Sequence, residues 1–201
     1  MVRQIAVLSF FAIQGGGILF AQKDRIVGPV DTSKTVILKG NVRPAVKPEL
    51  DRGGLDPSTK MTLELILKPS ASQQADMDRT LAEQQDPSSP NYHKWLTPDE
   101  FANRFGLSDG DIAKIVNWLK SEGFHVDEVA RGRNTVSFEG TAAQVQKVFH
   151  TEIRRYQIDN EMHFANSTEP SVPAALEPVI GGLLGLDDFK LKRHAGALRQ
   201  K

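Results

Sequence analysis

The sequence of 201 residues predicts an α+β fold, and three segments support this prediction. Residues 61–68 alternate apolar and polar side chains, apart from Ile66, which is typical of a half-buried strand. Ser108 can cap a helix whose apolar stripe recurs every three or four residues: Ile112, Ile115, Val116 and Leu119. A turn signal at residues 131–134 separates two short strand-like runs, which predicts a β-hairpin.

An earlier helix is predicted over about residues 72–85. Met77 and Leu81 lie four positions apart and would share its inner face. The Pro-containing residues 86–90 follow and would end the helix, because proline cannot continue the hydrogen-bond pattern.

The second half of the chain predicts a further helix and two strands. Thr141 and Gln144 form a capping box at the start of the helix. Its inner face would carry Ala142, Val145, Val148 and Phe149. Residues 153–158 indicate the next strand, and residues 162–164 a short return strand.

The predicted order is strand, helix, helix, strand, strand, helix, strand, with an added hairpin. Without the segment around Tyr92 and its flanking helix, this order is the split βαββαβ pattern of a ferredoxin-like domain. The sequence therefore predicts a ferredoxin-like domain with an inserted helical segment and an extra hairpin. This fold pattern alone implies no function.

The inserted segment, residues 88–101, has the most distinctive composition in the chain. Thr97 and Pro98 mark the start of a helix, as N-cap and first helical residue. Tyr92 and Trp95 carry large apolar surfaces, so we expect them to pack on something. We expect Trp95 to clamp the loop to the helix, so that Trp95→Ala would cost about 3–5 kcal/mol of stability. The set of Tyr92, Trp95, Phe101 and Phe105 indicates core or a partner-binding face rather than a ligand platform.

Composition gives no support for charged partners and excludes the sites that need cysteine. The formal net charge is zero, which gives no reason to propose nucleic acid or an anionic membrane as partner. The chain has no cysteine, so disulfides and thiolate metal sites are excluded and the core must be held by packing.

The two ends of the chain have their own signatures. Residues 1–21 resemble a secretory signal peptide cut after Ala21; the alternative is an uncleaved membrane anchor, which the triple glycine disfavours. Residues 22–60 are polar and rich in Pro and Gly, which predicts an extended arm with one short strand at 36–38. The basic residues 190–201 are interpreted as the start of a linker.

The sequence offers no convincing catalytic, cofactor or metal site. No serine lies in a nucleophile-bearing turn, and the Asp187-Asp188 pair indicates a solvated face or cap rather than a catalytic dyad. The five histidines do not pair at metal-ligand spacing. His93 is interpreted as a hydrogen-bonded structural residue, with a pH switch as the alternative. The glycines at 181, 182 and 185 lack the Lys and Ser/Thr of a phosphate loop.

The segment SSPNYHKWLTPDEFANRFG resembles the activation domain of the sedolisin, or pro-kumamolisin, family of secreted serine-carboxyl proteases. Other similar motifs are Gly140-Thr141-Ala142-Ala143-Gln144-Val145, Phe149-His150-Thr151-Glu152 and Pro173-Ala174-Ala175-Leu176. The resemblance covers about residues 35–189. It implies an activation domain at 61–189, with residues 190–201 leading towards a catalytic domain.

The resemblance implies a propeptide that acts as intramolecular chaperone and inhibitor and is removed on acid activation. The expected partner is a sedolisin-type catalytic domain, in cis or in trans. That domain, with its Ser-Gly-Thr-Ser motif and calcium site, is absent from this chain, so we expect no enzyme activity and no cofactor. We expect export through the signal peptide and no membrane association after its cleavage. The candidate partner interface is the hallmark segment: Tyr92, His93, Lys94, Trp95 and Leu96.

Two alternatives stay open at this point. The chain could be a stand-alone secreted protease inhibitor or binding module that acts in trans. It could also be a truncated product without function.

Overall fold

The computed structural model describes residues 22–189, so the predicted signal peptide and linker lie outside the described residues. The helices and strands in that range are β1 (Thr35–Ile37), β2 (Asp51–Gly54), β3 (Lys60–Leu67), α1 (Ala71–Gln85), α2 (Pro98–Phe105), α3 (Asp109–Ser121), β4 (His125–Val129), β5 (Thr135–Thr141), α4 (Ala142–Phe149), β6 (Ile153–Ile158), β7 (Glu161–Asn166), β8 (Ser171–Pro173) and β9 (Ile180–Leu184). The predicted α+β class is confirmed. In this range no helix is both long enough and apolar enough to cross a bilayer.

The main sheet has four antiparallel strands in the order β4-β5-β3-β9. This arrangement is compatible with a ferredoxin-like domain, but one strand assignment was wrong. The strand beside β3 is β9, whereas β6, expected to be the fourth strand, pairs with β2 and β7 in a second sheet. Gly181 and Gly182 weaken the strand signal of β9, since glycine is disfavoured within strands.

The hydrophobic core lies between the main sheet and helices α3 and α4. β3 alternates as predicted, with its apolar residues buried on one side. Buried residues of all three elements belong to one cluster: Leu63, Leu65, Ile115, Leu119, Val145 and Phe149. Aromatic rings complete it, with Phe149 5.9 Å from both Trp118 and Phe124. This packing holds the helices on one face of the sheet.

The N-terminal segment differs from the expected polar arm. Strand β1 pairs with β8 and β2 pairs with β6, so two parts of residues 22–60 complete sheets. Ile26 is 1% exposed, and Leu38 is also buried. The backbone amides of Arg25 and Ile26 donate to the buried carboxylate of Asp111 at 2.8 and 2.9 Å. Ile26 and Leu38 are isolated apolar residues and form no periodic pattern. The sequence therefore carries no local signal for their burial against distant parts of the chain.

Helix α1 forms at the predicted place and Met77 is partly buried, but the prediction that Leu81 shares its inner face was wrong. Leu81 is 47% exposed, whereas Thr80 and Gln84 are buried. The helix starts with a capping box between Ser70 and Gln73. Both buried polar side chains have backbone partners: Gln84 donates to the carbonyl of Lys94 in the connecting loop, and Thr80 donates to the carbonyl of Asp76 in its own helix.

Candidate partner interface

The hallmark segment forms the loop between α1 and α2 and is held by hydrogen bonds to the end of α1. The amide of His93 donates to the carbonyl of Gln84 at 3.1 Å. The Gln84 side chain donates to the carbonyl of Lys94 at 2.5 Å. Asn91 adds a hydrogen bond to the carboxylate of Glu83 at 2.8 Å. The loop backbone is therefore fixed by polar contacts.

Three rings of this loop form a stack on the surface. The ring centroids of Tyr92 and His93 are 3.7 Å apart with an interplanar angle of 23°, and those of His93 and Trp95 are 5.8 Å apart at 22°. His93 adopts a positive φ of 54°, which non-glycine residues rarely do. We call Tyr92, His93 and Trp95 the ring stack. Lys94 is also exposed, and Leu96 is partly buried.

The expectation that Trp95 clamps the loop to the helix was wrong. Trp95 is 66% exposed and Tyr92 is 39% exposed. The start of α2 needs neither ring, because Thr97 and Glu100 form a reciprocal capping box with Pro98 at the first helical position. The predicted aromatic set therefore falls into two parts. Tyr92 and Trp95 are exposed, whereas Phe105 is buried and packs edge-on against Phe101.

The two helices of the α1–loop–α2 hairpin are joined to each other by polar groups. Gln73 donates to the carbonyls of Arg104 and Gly106 at 3.3 and 3.1 Å. Arg104 makes a bidentate contact with Asp76 at 2.5 and 2.8 Å. Hydrogen bonding from Arg104, and more weakly from Arg79, lowers the pKa of Asp76. Within residues 22–189, the main core cluster includes no residue of this hairpin.

A second feature lies at the C-terminal end of the described chain. His163 stacks on Phe189 with 4.7 Å between ring centroids, and its Nδ1 lies 3.1 Å from the carboxylate of Asp188. Asp187 pairs with Arg43 at 2.8 Å. Asp187 and Asp188, which were predicted to form a solvated face or a cap, therefore each bind a different side chain. Sequence reasoning missed the role of His163, because residues 162–164 indicated only a return strand.

The structure brings one serine and one histidine together. His150 Nδ1 lies 3.0 Å from the hydroxyl of Ser171. A nucleophilic serine needs a base that is itself oriented by a third group. For residues 22–189 the structure records no carboxylate on His150, and Ser171 is buried within β8. The pair therefore ties the end of α4 to β8. The same range holds no group of three or more His, Asp or Glu residues that could bind a metal ion.

Comparison with known proteins identifies the chain's relatives. Residues 50–189 match the pro-kumamolisin activation domain. The chain is 35% identical to xanthomonalisin of Xanthomonas sp. (strain T-22) over 53% of this chain and 13% of that protein. It is 24% identical to sedolisin of Pseudomonas sp. (strain 101) over 63% and 22% of the two chains. It is 23% identical to kumamolisin of Bacillus sp. (strain MN-32) over 85% and 30%.

The matched region is a small part of each relative, at most 30% of the length of the three proteins. The family match, in contrast, covers more than half of this chain and includes the ring stack, both main sheet edges and the C-terminal contacts of His163. The chain belongs to the pro-kumamolisin activation domain family.

Proposed function

We propose that this chain is the propeptide of a sedolisin-type protease, which assists folding of its catalytic domain and inhibits it until acid activation. The observation that carries the proposal is the extent of the match: residues 50–189 match the activation domain, whereas 70% or more of each of the three relatives lies outside the region aligned with this chain. A region of this kind acts on the remainder of its own precursor. The chain itself would have no peptidase activity.

The geometry of the C-terminal end supports such a role. Strand β9 is paired along β3, and the following residues are fastened by Arg43 and His163. The C-terminal end of the described chain, up to Phe189, is therefore held against the domain. A tethered catalytic domain would meet this propeptide at a high effective concentration, so that inhibition does not need a large intrinsic affinity.

The proposed location is outside the cytoplasm, reached through the predicted signal peptide at residues 1–21. The absence of cysteine is compatible with an oxidising compartment, because no thiol is available for oxidation. Whether the partner acts in cis or in trans depends on the reading frame that follows Lys201. A frame that encodes the Ser-Gly-Thr-Ser motif would support action in cis.

A precursor exchange tests the proposal. Residues 22–201 replace the corresponding propeptide of xanthomonalisin, and folding, latency and acid activation of the product are measured. We expect a soluble, latent precursor that gains peptidase activity after acidification. The controls are the native precursor and a precursor without any propeptide. An exchanged precursor that aggregates or stays inactive like the second control would contradict the proposal, as would peptidase activity of residues 22–201 alone.

A further inference from the structure

We propose that the ring stack is an anchor through which this domain docks on the catalytic domain of its protease. This inference rests on the proposed function and assigns a contact surface to it. The partner surface that fits is an apolar pocket that accepts Trp95 and Tyr92. The proposal depends on the exposure of the rings, their fixed geometry and their separation from the core.

Exposure is the first argument. Single apolar side chains on a surface are common, but this loop presents two large aromatic rings together with an imidazole between them. Leu81, on the same hairpin, is another exposed large apolar residue. Tyr and Trp dominate the energetically important positions of protein interfaces, because their burial removes much apolar surface from water.

Fixed geometry is the second argument. The rings are already stacked on one another, and the left-handed backbone at His93 sets their direction. Hydrogen bonds from the loop to Gln84 and Glu83 hold that backbone in place. A partner would therefore pay little conformational entropy to immobilise these side chains, which is the main advantage of a pre-organised contact.

Independence from the core is the third argument. The hairpin that carries the ring stack attaches to the rest of the chain through α2, where Asn103 accepts hydrogen bonds from Gln22 and Arg133 at 3.1 and 2.7 Å and neither ring takes part. The capping box at Thr97 starts α2 without help from either ring. Folding of the domain therefore does not account for a tryptophan at position 95.

The choice of partner follows from the comparisons and from charge. The stack lies inside the matched residues 50–189, and the part of each relative outside the match is the partner present in the same polypeptide. Residues 71–105 carry six carboxylates but three Lys or Arg residues. An apolar pocket with a cationic rim would complement this surface. Tethering makes a small anchor sufficient.

The test measures inhibition and stability separately. Residues 22–201 are added in trans to the mature catalytic domain of xanthomonalisin, and the inhibition constant is measured with the urea midpoint of each variant. Trp95→Ala and, independently, Tyr92→Ala should raise the inhibition constant about tenfold or more, with unchanged midpoints. Val27→Ala is the matched control, because Val27 is 88% exposed on the N-terminal segment and should change neither quantity.

The outcomes separate this inference from the proposed function. If the wild-type chain inhibits the protease and neither Trp95→Ala nor Tyr92→Ala weakens this inhibition, the anchor is overturned and the propeptide function stays intact. Absence of inhibition and binding by the wild-type chain would overturn both. The wild-type chain could also form a dimer in gel filtration that Trp95→Ala dissociates. This result would overturn the anchor and show instead that the ring stack is a contact between two copies of the chain. If Trp95→Ala lowers the urea midpoint, its inhibition constant is not used, and the inhibition constant of Tyr92→Ala decides whether the ring stack is the anchor.

Discussion

The two tryptophans of this chain lie in opposite environments. Trp118 is 4% exposed on the inner side of α3, where its ring packs edge-on against Phe149. Trp95 lies in the loop before α2 and is 66% exposed. Trp118 lies three positions after Ile115 and directly before Leu119, both of which are buried. The helical period therefore explains its burial, whereas no periodic pattern includes Trp95.

Substitution of Trp118 tests the packing of the core at the scale of one residue. Trp118→Ala should lower the free energy of unfolding by about 3–5 kcal/mol, since a large buried aromatic ring is lost. Trp118→Phe should cost clearly less, because it keeps apolar volume and removes an indole N–H that is buried without a hydrogen-bond partner. Urea denaturation of both variants measures the difference. Equal losses for the two variants would contradict this account of the indole nitrogen.

At the scale of elements, carboxylate–arginine pairs join neighbouring helices or strands to each other. Asp76 joins α1 to Arg104 of α2, and Asp51 joins β2 to Arg154 of β6 at 2.5 Å. In both cases the hydrogen bond from the arginine is the largest cause that lowers the carboxyl pKa below its usual value of 3.8. Such pairs are partly exposed, so each contributes modestly and is screened by salt.

Stability should therefore fall in acid. A carboxylate with a lowered pKa in the folded state stabilises the fold fully above the unfolded pKa, and this contribution is lost as the pH falls through the folded pKa. We expect the urea midpoint to drop as the pH falls below about 3.8. Asp76→Asn should lower the midpoint at pH 6 and reduce its further loss in acid.

Asp78→Asn is the control for this acid effect. Asp78 is on the same helix, is exposed and accepts a hydrogen bond from Gln74 rather than from an arginine. It should change neither the midpoint at pH 6 nor its dependence on pH. A midpoint of the wild-type chain that stays constant between pH 6 and pH 2.5 would contradict the prediction.

At the scale of the whole molecule, the N-terminal segment is an integral part of the fold. It contacts the start of α3 and then pairs with β8 and with β6, so it links two of the three sheets of the described chain to the helices. The extended polar arm predicted for residues 22–60 from their local composition does not fit these contacts. Because parts of its backbone are paired in two sheets, we expect the segment to resist early cleavage by proteases.

Two neighbouring residues test this integration. Ile26 is 1% exposed and Val27 is 88% exposed. Ile26→Ala should lower the free energy of unfolding by about 2–5 kcal/mol. Val27→Ala should stay within about 0.5 kcal/mol of wild type. Urea denaturation gives both values, and an unchanged midpoint for Ile26→Ala would show that the segment is a detachable arm.

Local signals predicted most of the elements. The capping boxes at Thr97 and Thr141 start helices at the expected residues, and β3 alternates as expected. β9 was missed because its two glycines hide the strand pattern. Leu81 was assigned wrongly to the inner side of α1, because the buried Gln84 there donates to the backbone carbonyl of Lys94 in the loop and the buried Thr80 to the carbonyl of Asp76 in its own helix. In the candidate site, the sequence located the hallmark residues but predicted the wrong exposure for Trp95.

The sequence by itself determined the family and the elements that depend on nearby residues. Caps, turns and hydrophobic periods act over a few positions, so they are visible in any short window of the chain. The tertiary structure alone decided the partner of β3, the burial of Ile26 and the exposure of the ring stack. Each of these depends on contacts between residues far apart in the chain, and no local pattern encodes which distant surface will be covered.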